Sequence, residues 1–358
     1  MNKMELRYAK LRAKMKELGL DAIYINSPEN HLYMTDFDNP DGWAFVTLEK
    51  AWVWADMRYY EAAKAEVTPL CEVCLPGKPS FEEIASEYGL KTIGYEDRRL
   101  TCSSFASLEN ALKNCQVEFA PVGGLFTDLR TVKTDDEVEN IEAAQRIAEA
   151  AFDHIVKTIT YDMTETEVAA ELEYFMKRHG SEKPSFDTIA VSGSASSRPH
   201  GVPRPVKLEK GFLTMDYGAL VKGYHSDMTR TVVIGKADEE MKKLYNTVLK
   251  AQVAAIEAVT DGAKNADMDR IAREIIDGAG YAGLFSHGLG HGVGLEIHES
   301  PNLNGRMGDA VLHPGEIVTV EPGIYIEGKY GCRIEDMVLV TPGGSRDLTN
   351  CPKELIEI

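Results

Sequence analysis

Apolar and polar positions follow two different spacings in the first third of the chain. Within residues 1–20, apolar residues recur at helical spacing among charged ones, which predicts an amphipathic helix. Those apolar residues are Tyr8, Leu11, Met15 and Leu18. Short β-prone runs predict strands at 22–26, 43–48, 51–54, 71–75, 91–95 and 117–121, and helical patterns lie at 58–65, 81–88 and 103–114. This alternation is typical of a small α/β domain.

The pattern changes after Gly123-Gly124, which predicts two domains, 1–122 and 123–358. Thr134 and Thr164 each open a capping box, so a helix is predicted to begin at each, the first running to about residue 158. Further helical patterns lie at 238–259 and 267–279, and β-rich hairpin patterns lie at 212–234 and 316–340. Helices and antiparallel strands in separate blocks predict an α+β second domain.

Charge and composition exclude several classes of protein. The 358 residues carry a formal net charge of −18, and an acidic surface disfavours binding to nucleic acid or to anionic lipid. No stretch approaches the roughly 20 apolar residues that a membrane helix needs. The segment 1–20 lacks the basic-then-apolar pattern of a signal peptide, so we expect a cytoplasmic protein.

The six cysteines do not predict a zinc site. Cys71 and Cys74 form a single C-x-x-C motif, whereas a structural zinc site needs a second ligand pair at matching spacing. A redox motif is the other alternative, but this segment has the pattern of a short strand. We therefore expect reduced thiols.

Asp216 and Asp227 are predicted to face each other across a hairpin. A turn centred between Val221 and Lys222 pairs the two directly, with Cβ atoms about 5 Å apart. A second hairpin, centred on Gly328, pairs Glu321 with Glu335 in the same way. Facing carboxylates repel each other unless a cation or a proton lies between them.

Bound metal compensates the charge of two such carboxylate pairs better than shared protons do. A proton-sharing dyad could account for one pair, but two pairs among apolar neighbours need more compensation than protons supply at neutral pH. Two divalent cations would balance four carboxylates. A carboxylate-rich set with one imidazole suits Mn²⁺, Co²⁺ or Zn²⁺.

The imidazole is predicted in the glycine-rich segment 285–299, which contains His287, His291 and His298. Glycine at alternate positions from 288 to 294 argues against a helix and indicates backbone packed close to a site. His200, in a polar loop after the predicted strand at 188–191, is a fourth candidate.

Together these segments resemble the creatinase/prolidase/methionine-aminopeptidase family, the "pita-bread" metallopeptidases. Residues 129–133 (Leu-Arg-Thr-Val-Lys) with 135–139 resemble the start of its catalytic domain, and 9–20, 27–30 and 33–35 resemble its N-terminal domain. The resemblance covers nearly the whole chain. It implies an α/β creatinase-type N-terminal domain followed by an α+β pita-bread catalytic domain, and it implies a homodimer.

The resemblance also implies a role for each site residue. Asp216 would chelate one metal ion, and Asp227 would bridge both. His291 and Glu321 would bind the second ion, and Glu335 would be the other bridge. The further site residues of the proline-specific branch are His200, His287, His298, Tyr325 and Arg333. All five ligands are present, which disfavours creatinase itself and the relatives that only bind.

The implied reaction is hydrolysis of the Xaa-Pro bond at the N-terminus of peptides, with manganese the favoured metal. Glu321 would act as base and then as acid, and His298 with His200 would hold the developing oxyanion. Residues 1–122 argue against a methionine aminopeptidase, which usually lacks such a domain.

The resemblance leaves the length of the substrate open between two activities. An Xaa-Pro dipeptidase (prolidase) must hold a free carboxylate, usually by an arginine near the last histidine, and the first arginine after His298 is Arg306. Either Arg306 or Arg198 serves, or the site accepts longer peptides. The longer substrates, and hence an aminopeptidase P-like enzyme, are favoured. A remoter alternative is an inactive member that binds peptides or proteins.

Overall fold

A computed structural model describes residues 2–358, which form two compact units. The first unit ends at Leu129, and the second runs from Arg130 to Ile358. The domain boundary expected at 122/123 stays a prediction.

The first unit contains one six-stranded sheet, with strand order β4-β3-β2-β1-β5-β6. Its strands are β1 (Ala22–Ile25), β2 (Trp43–Thr47), β3 (Ala51–Trp54), β4 (Glu72–Cys74), β5 (Thr92–Tyr95) and β6 (Glu118–Pro121). Its helices are α1 (Lys3–Glu17), α2 (Pro28–Thr35), α3 (Tyr60–Glu66), α4 (Phe81–Tyr88) and α5 (Cys102–Ala111); α6 (Leu125–Thr131) ends just past the division. Every strand and helix predicted for this unit is present, whereas the short helices α2 and α6 were missed.

The second unit packs four helices against antiparallel sheets. The helices are α7 (Asp135–Thr158), α8 (Glu165–Arg178), α9 (Glu239–Ala258) and α10 (Asn265–Ile276). The strands are β7 (Ile189–Ser192), β8 (Gly211–Tyr217), β9 (Leu220–Val221), β10 (Tyr224–His225), β11 (Met228–Ile234), β12 (Gly290–Gly292), β13 (Glu299–Leu303), β14 (Ile317–Val320), β15 (Gly323–Ile326), β16 (Tyr330–Arg333), β17 (Asp336–Thr341) and β18 (Gly344–Asp347). The predicted capping boxes at Thr134 and Thr164 are present at the starts of α7 and α8.

Two large apolar clusters form most of the core of the second unit. Phe152 of α7 and Leu172 of α8 belong to a buried cluster with Met215 of the sheet β11-β8-β7. Tyr245 of α9 and Met268 of α10 belong to another, with strands of the sheet β13-β12-β14-β17-β18. Each sheet therefore has one face covered by a helix pair, which leaves its strand ends available for polar side chains.

The predicted pairing of Asp216 with Asp227 is wrong by two residues. Asp216 pairs with Thr229, and Asp227 lies just before β11. The turn is centred one residue later than predicted, because Lys222 and Gly223 both adopt left-handed φ values, 49° and 76°. Since side chains alternate with period two, this shift leaves both aspartates on the same face.

The predicted pairing of Glu321 with Glu335 is in the observed register. Gly323 pairs with Arg333 between β15 and β16, and Val320 pairs with Asp336 between β14 and β17. The two glutamates occupy the short gap between these ladders. Their backbones are therefore held from both sides.

Candidate active site

A cavity of about 520 Å³ opens in the second unit, and it brings the predicted site residues together. The predicted residues in its wall are His200, Asp216, Asp227, His287, His291, His298, Glu321, Arg333 and Glu335. Tyr325 is absent from the wall but hydrogen-bonds to one of these residues, His287. All the candidate residues are therefore neighbours, although they span more than 130 positions of the chain.

The five candidate metal ligands come from different strands or strand ends. Asp216 is on β8, and Asp227 immediately precedes β11. His291 is the central residue of β12. Glu321 immediately follows β14, and Glu335 immediately precedes β17. Strands, or backbone directly next to strands, thus determine the position of each candidate ligand.

His291 lies among the carboxylates. Its Nε2 is 3.6 Å from Asp227 Oδ2 and 3.5 Å from Glu321 Oε1. Its Nδ1 is 3.1 Å from the carbonyl of Gly292, so Nδ1 donates there and Nε2 presents its lone pair to the carboxylates. Burial lowers the pKa of His291 to about 4, which keeps the ring in the neutral form that binds metals.

The alternating glycines allow β12 to pack closely against its neighbours. A Cβ on Gly290 would lie 1.9 Å from the carbonyl oxygen of Thr319, and one on Gly292 would lie 2.2 Å from that of Ser300. The prediction that this segment is not a helix is confirmed. The glycines serve backbone packing on both sides of His291.

Arg333 connects two of the predicted residues. Its Nη2 donates to Asp216 Oδ2 at 2.6 Å, and its Nη1 donates to the hydroxyl oxygen of Tyr325 at 2.9 Å. That hydroxyl is 2.9 Å from His287 Nε2. His287 Nδ1 faces the carbonyl of Gly288 at 2.8 Å and must donate to it, so Tyr325 donates to Nε2. A hydrogen-bonded chain therefore runs from Asp216 to His287.

Sequence analysis missed two threonines at the site. Thr229 donates to Glu335 Oε2 at 2.7 Å and accepts from Arg333 Nε at 3.0 Å. Thr319 accepts from the backbone N–H of His291 at 3.1 Å. Each threonine is on a strand beside a ligand, two residues after Asp227 or two before Glu321. That period-two spacing is the signal that could have indicated them.

The cluster of carboxylates requires compensating charge. Burial raises the pKa of Asp227, and the charges of Asp216 and Glu321 raise it further. Burial raises the pKa of Glu321 to about 8 even though Arg333 lowers it. Burial and the charge of Asp227 likewise raise the pKa of Glu335. A single guanidinium does not balance four carboxylates.

The residues fit divalent metal. Ligand atoms of Asp227, His291 and Glu335 all lie within 4.8 Å of one another. Asp216 Oδ1 is buried and has no hydrogen-bond partner within residues 2–358, although its Oδ2 is paired. A bound cation would satisfy this unpaired oxygen, and carboxylate with imidazole is a donor set that suits Mn²⁺, Co²⁺ or Zn²⁺.

The outer part of the cavity holds exposed groups. His200 and His298 are both exposed, and the ring of His298 is 4.3 Å from that of His291. Phe186 lines the wall, whereas the fully buried Tyr217 donates to the carbonyl of Ala148 and belongs to the core. Of these two aromatic residues, only Phe186 therefore offers an apolar surface to the cavity.

Comparison with known proteins identifies both units. Residues 7–132 match the creatinase/prolidase N-terminal domain, and residues 139–342 match metallopeptidase family M24. The Xaa-Pro dipeptidase of Pyrococcus furiosus is 39% identical over 358 residues, covering 99% of this chain and 100% of that protein.

Two solved structures extend the match to the fold. The Xaa-Pro dipeptidase from Bacillus anthracis has a TM-score of 0.94 at 39% identity, with 100% of both chains covered. The X-Pro aminopeptidase from Thermotoga maritima has a TM-score of 0.90 at 34% identity, with 96% of this chain and 100% of that chain covered.

Fold and site together define a metal-dependent hydrolase with a creatinase-type N-terminal domain and a pita-bread catalytic domain. The chain belongs to metallopeptidase family M24. The predicted family and fold class are confirmed. No helix within residues 2–358 is long and apolar enough to span a membrane.

Proposed function

We propose that this protein is an Xaa-Pro aminopeptidase, a dinuclear metal-dependent exopeptidase that hydrolyses the bond between an N-terminal residue and a following proline. The observation that carries the proposal is the composition of the cavity wall. Four carboxylates and His291 line it, whereas within residues 2–358 the wall offers no guanidinium or ammonium group for a substrate carboxylate besides Arg333. The relatives described above are named as Xaa-Pro dipeptidases or an X-Pro aminopeptidase, which supports the same bond specificity here.

Asp216, Asp227, His291, Glu321 and Glu335 would hold the metal ions. Bound divalent ions supply Lewis acidity and lower the pKa of a water nucleophile. We infer manganese as the physiological ion from the family resemblance and from this carboxylate-rich set.

The chain's own groups would handle protons and charge. The Glu321 carboxylate, at the base of the cavity, would take a proton from the attacking water and return it to the imide nitrogen. The exposed rings of His200 and His298 would donate to the developing oxyanion. The acidic cluster would attract the free α-ammonium group of the substrate and so restrict cleavage to the N-terminus.

The geometry favours longer peptides over dipeptides. Within residues 2–358, Arg333 supplies the only guanidinium or ammonium group of the cavity wall, and it is committed to Asp216 and Tyr325. Neither Arg198 nor Arg306 lines the cavity; Asn302 and Asn304 lie there. Neutral amides can hydrogen-bond to a continuing peptide backbone, but they do not neutralise a terminal carboxylate.

An Xaa-Pro dipeptidase is the second candidate, because two relatives at 39% identity carry that name. A homodimer is a further proposal, and it rests on the family resemblance alone. A catalytically inactive binding protein is disfavoured by the complete set of ligands.

The test compares hydrolysis of an Xaa-Pro dipeptide with that of an Xaa-Pro-Xaa tripeptide. Chelator-treated protein is assayed with and without added Mn²⁺. We expect metal-dependent cleavage of the tripeptide. Cleavage of the dipeptide alone would assign a prolidase, and failure on both substrates with metal restored would exclude a proline-specific peptidase. Glu335→Gln provides the inactive control.

A further inference from the structure

A buried carboxylate outside the cavity bonds to both ends of the loop that carries His200. Glu165, the first residue of α8, is fully buried. Its Oε1 accepts from Ser192 N at 2.7 Å, Ser192 Oγ at 2.8 Å and Arg204 Nη2 at 2.6 Å. Its Oε2 accepts from Arg204 N at 3.0 Å and Arg204 Nε at 2.8 Å. One side chain thus receives five hydrogen bonds.

Those five bonds come from both ends of a single loop. Ser192 ends β7, and Arg204 lies twelve residues later, after His200. The backbone at this end of the loop also meets α8, since Glu165 N donates to Val206 O at 3.1 Å. Glu165 therefore joins the two ends of the loop.

A second set of contacts holds the rest of the loop. The carbonyl of Pro199 accepts from Arg333 Nη1 at 3.2 Å, and Ser196 Oγ accepts from Gly331 N at 3.0 Å. Arg333 is the same residue that binds Asp216. The loop is therefore fixed to the site near its tip and fixed to α8 at its base.

His200 itself has no comparable support. Its side chain is exposed and makes no hydrogen bond within residues 2–358, yet it lines the cavity. Since no hydrogen bond within residues 2–358 holds the ring, the backbone of its loop is the main constraint on where the ring lies. Any group that fixes this backbone therefore limits the region that the ring can reach.

We propose that Glu165 is a positioning residue that holds His200 in reach of the substrate by clasping Ser192 and Arg204. The proposal rests on the proposed function, in which His200 donates to the oxyanion. Although burial alone would raise the pKa of Glu165, its hydrogen bonds from Arg204 and Ser192 bring the pKa below the usual value. The carboxylate is then ionised at neutral pH and accepts all five bonds.

The test replaces Glu165 by glutamine, which keeps the size of the side chain but substitutes an NH₂ group for one oxygen. That group cannot accept from the donors of Ser192 or Arg204. Glu167→Gln is the matched control, because Glu167 is on the same helical turn and, within residues 2–358, its carboxylate bonds only to Thr164. We expect kcat/KM on an Xaa-Pro-Xaa tripeptide to fall about 10- to 100-fold in Glu165→Gln, since a small misplacement of a catalytic group has that effect. The control should stay within twofold of the wild type.

A double-mutant cycle distinguishes positioning from general loss of structure. Glu165→Gln combined with His200→Ala should be no slower than His200→Ala alone, because Glu165 acts through that ring. Additive losses, or an unchanged kcat/KM in Glu165→Gln, would overturn the proposal. Inactivity of the wild type would instead overturn the proposed function.

Amide hydrogen exchange tests the same role independently of peptidase activity. Amide hydrogen exchange of residues 193–204 should become faster in Glu165→Gln, whereas exchange in β8 and β11 should not change. If Glu165→Gln does not fold, Arg204→Lys serves in its place, because lysine retains the charge and loses the planar fork. Unchanged exchange in the loop would contradict the assigned role.

Discussion

At the scale of single residues, one ion-pair network supports the start of β17, next to Glu335. The carboxylate of Asp336 is fully buried and accepts from Arg230 Nη2 at 2.8 Å and from Gln252 Nε2 at 2.7 Å, and it also pairs with Lys353. Arg230 further donates to the carbonyl of Glu335 at 2.7 Å. This network holds the backbone of a candidate ligand from the side that faces away from the ligand's carboxylate.

Replacing Asp336 by asparagine should destabilise the catalytic unit by about 3–5 kcal/mol, because it leaves the buried Arg230 without its counter-charge. Urea denaturation followed by circular dichroism measures the effect. Lys207→Met, which breaks an exposed pair with Asp162, is the control and should leave the midpoint unchanged. Equal midpoints for the two variants would show that the network adds nothing to stability.

At the scale of elements, the close packing of β12 against β14 should tolerate no side chain at Gly290. A Cβ there would lie 1.9 Å from the carbonyl oxygen of Thr319, so Gly290→Ala must separate two strands. We expect a loss of about 3 kcal/mol or more, together with weaker metal binding, because His291 is the next residue. Thermal melting and metal content after dialysis measure the two effects.

The matched control is Gly278→Ala. A Cβ at Gly278 would have no atom within 4 Å, so this variant should melt within a few degrees of the wild type. If Gly290→Ala melts at the same temperature as Gly278→Ala, the strands are not as closely packed as the structure indicates.

The elements also show what sequence reasoning can and cannot predict. The register of Glu321 and Glu335 was predictable because a single glycine, Gly328, marks the centre of the hairpin. The register of Asp216 was not, since the turn requires a left-handed φ at Lys222, a residue type that rarely adopts it. An error of one residue in the position of the turn centre shifts every cross-strand partner by two residues.

Roles of side chains that depend on contacts with residues far away in the chain could not be predicted from local sequence patterns. Glu165 follows a capping threonine and has the pattern of an ordinary acidic first-turn residue, yet it binds a loop nearly forty positions away. The proximity of the four carboxylates was predictable because they recur in two β-hairpin patterns, and their role as metal ligands stays a prediction. The role of Thr229 was not predictable, because a threonine in a strand is usual.

At the scale of the whole molecule, metal and pH should act together on stability. Burial and mutual repulsion raise the pKa values of Asp227, Glu321 and Glu335, that of Glu321 to about 8. In metal-free protein these groups favour folding while they are protonated, and this contribution is lost as the pH rises from about 4.5 through 8. Metal requires the ionised carboxylates, so its contribution changes in the opposite direction.

The expected result is a rise in Tm on adding Mn²⁺ to chelator-treated protein, and a larger rise at pH 8 than at pH 5.5. Differential scanning fluorimetry across this range measures it. Glu335→Gln should lose most of the pH-dependent gain. A gain that is the same at all pH values, or that persists in this variant, would contradict the assignment of the ligands.

The distribution of the ligands along the chain sets an order of events during biosynthesis. Asp216 and Glu335 are more than one hundred residues apart, and the candidate ligands between them lie on separate strands or at strand ends. A ribosome must therefore complete both hairpins before any ion can be enclosed, and domains fold as units during synthesis. Metal loading of the proposed site would then depend on the finished fold, and the ion that is abundant where the finished chain resides would decide which metal it carries.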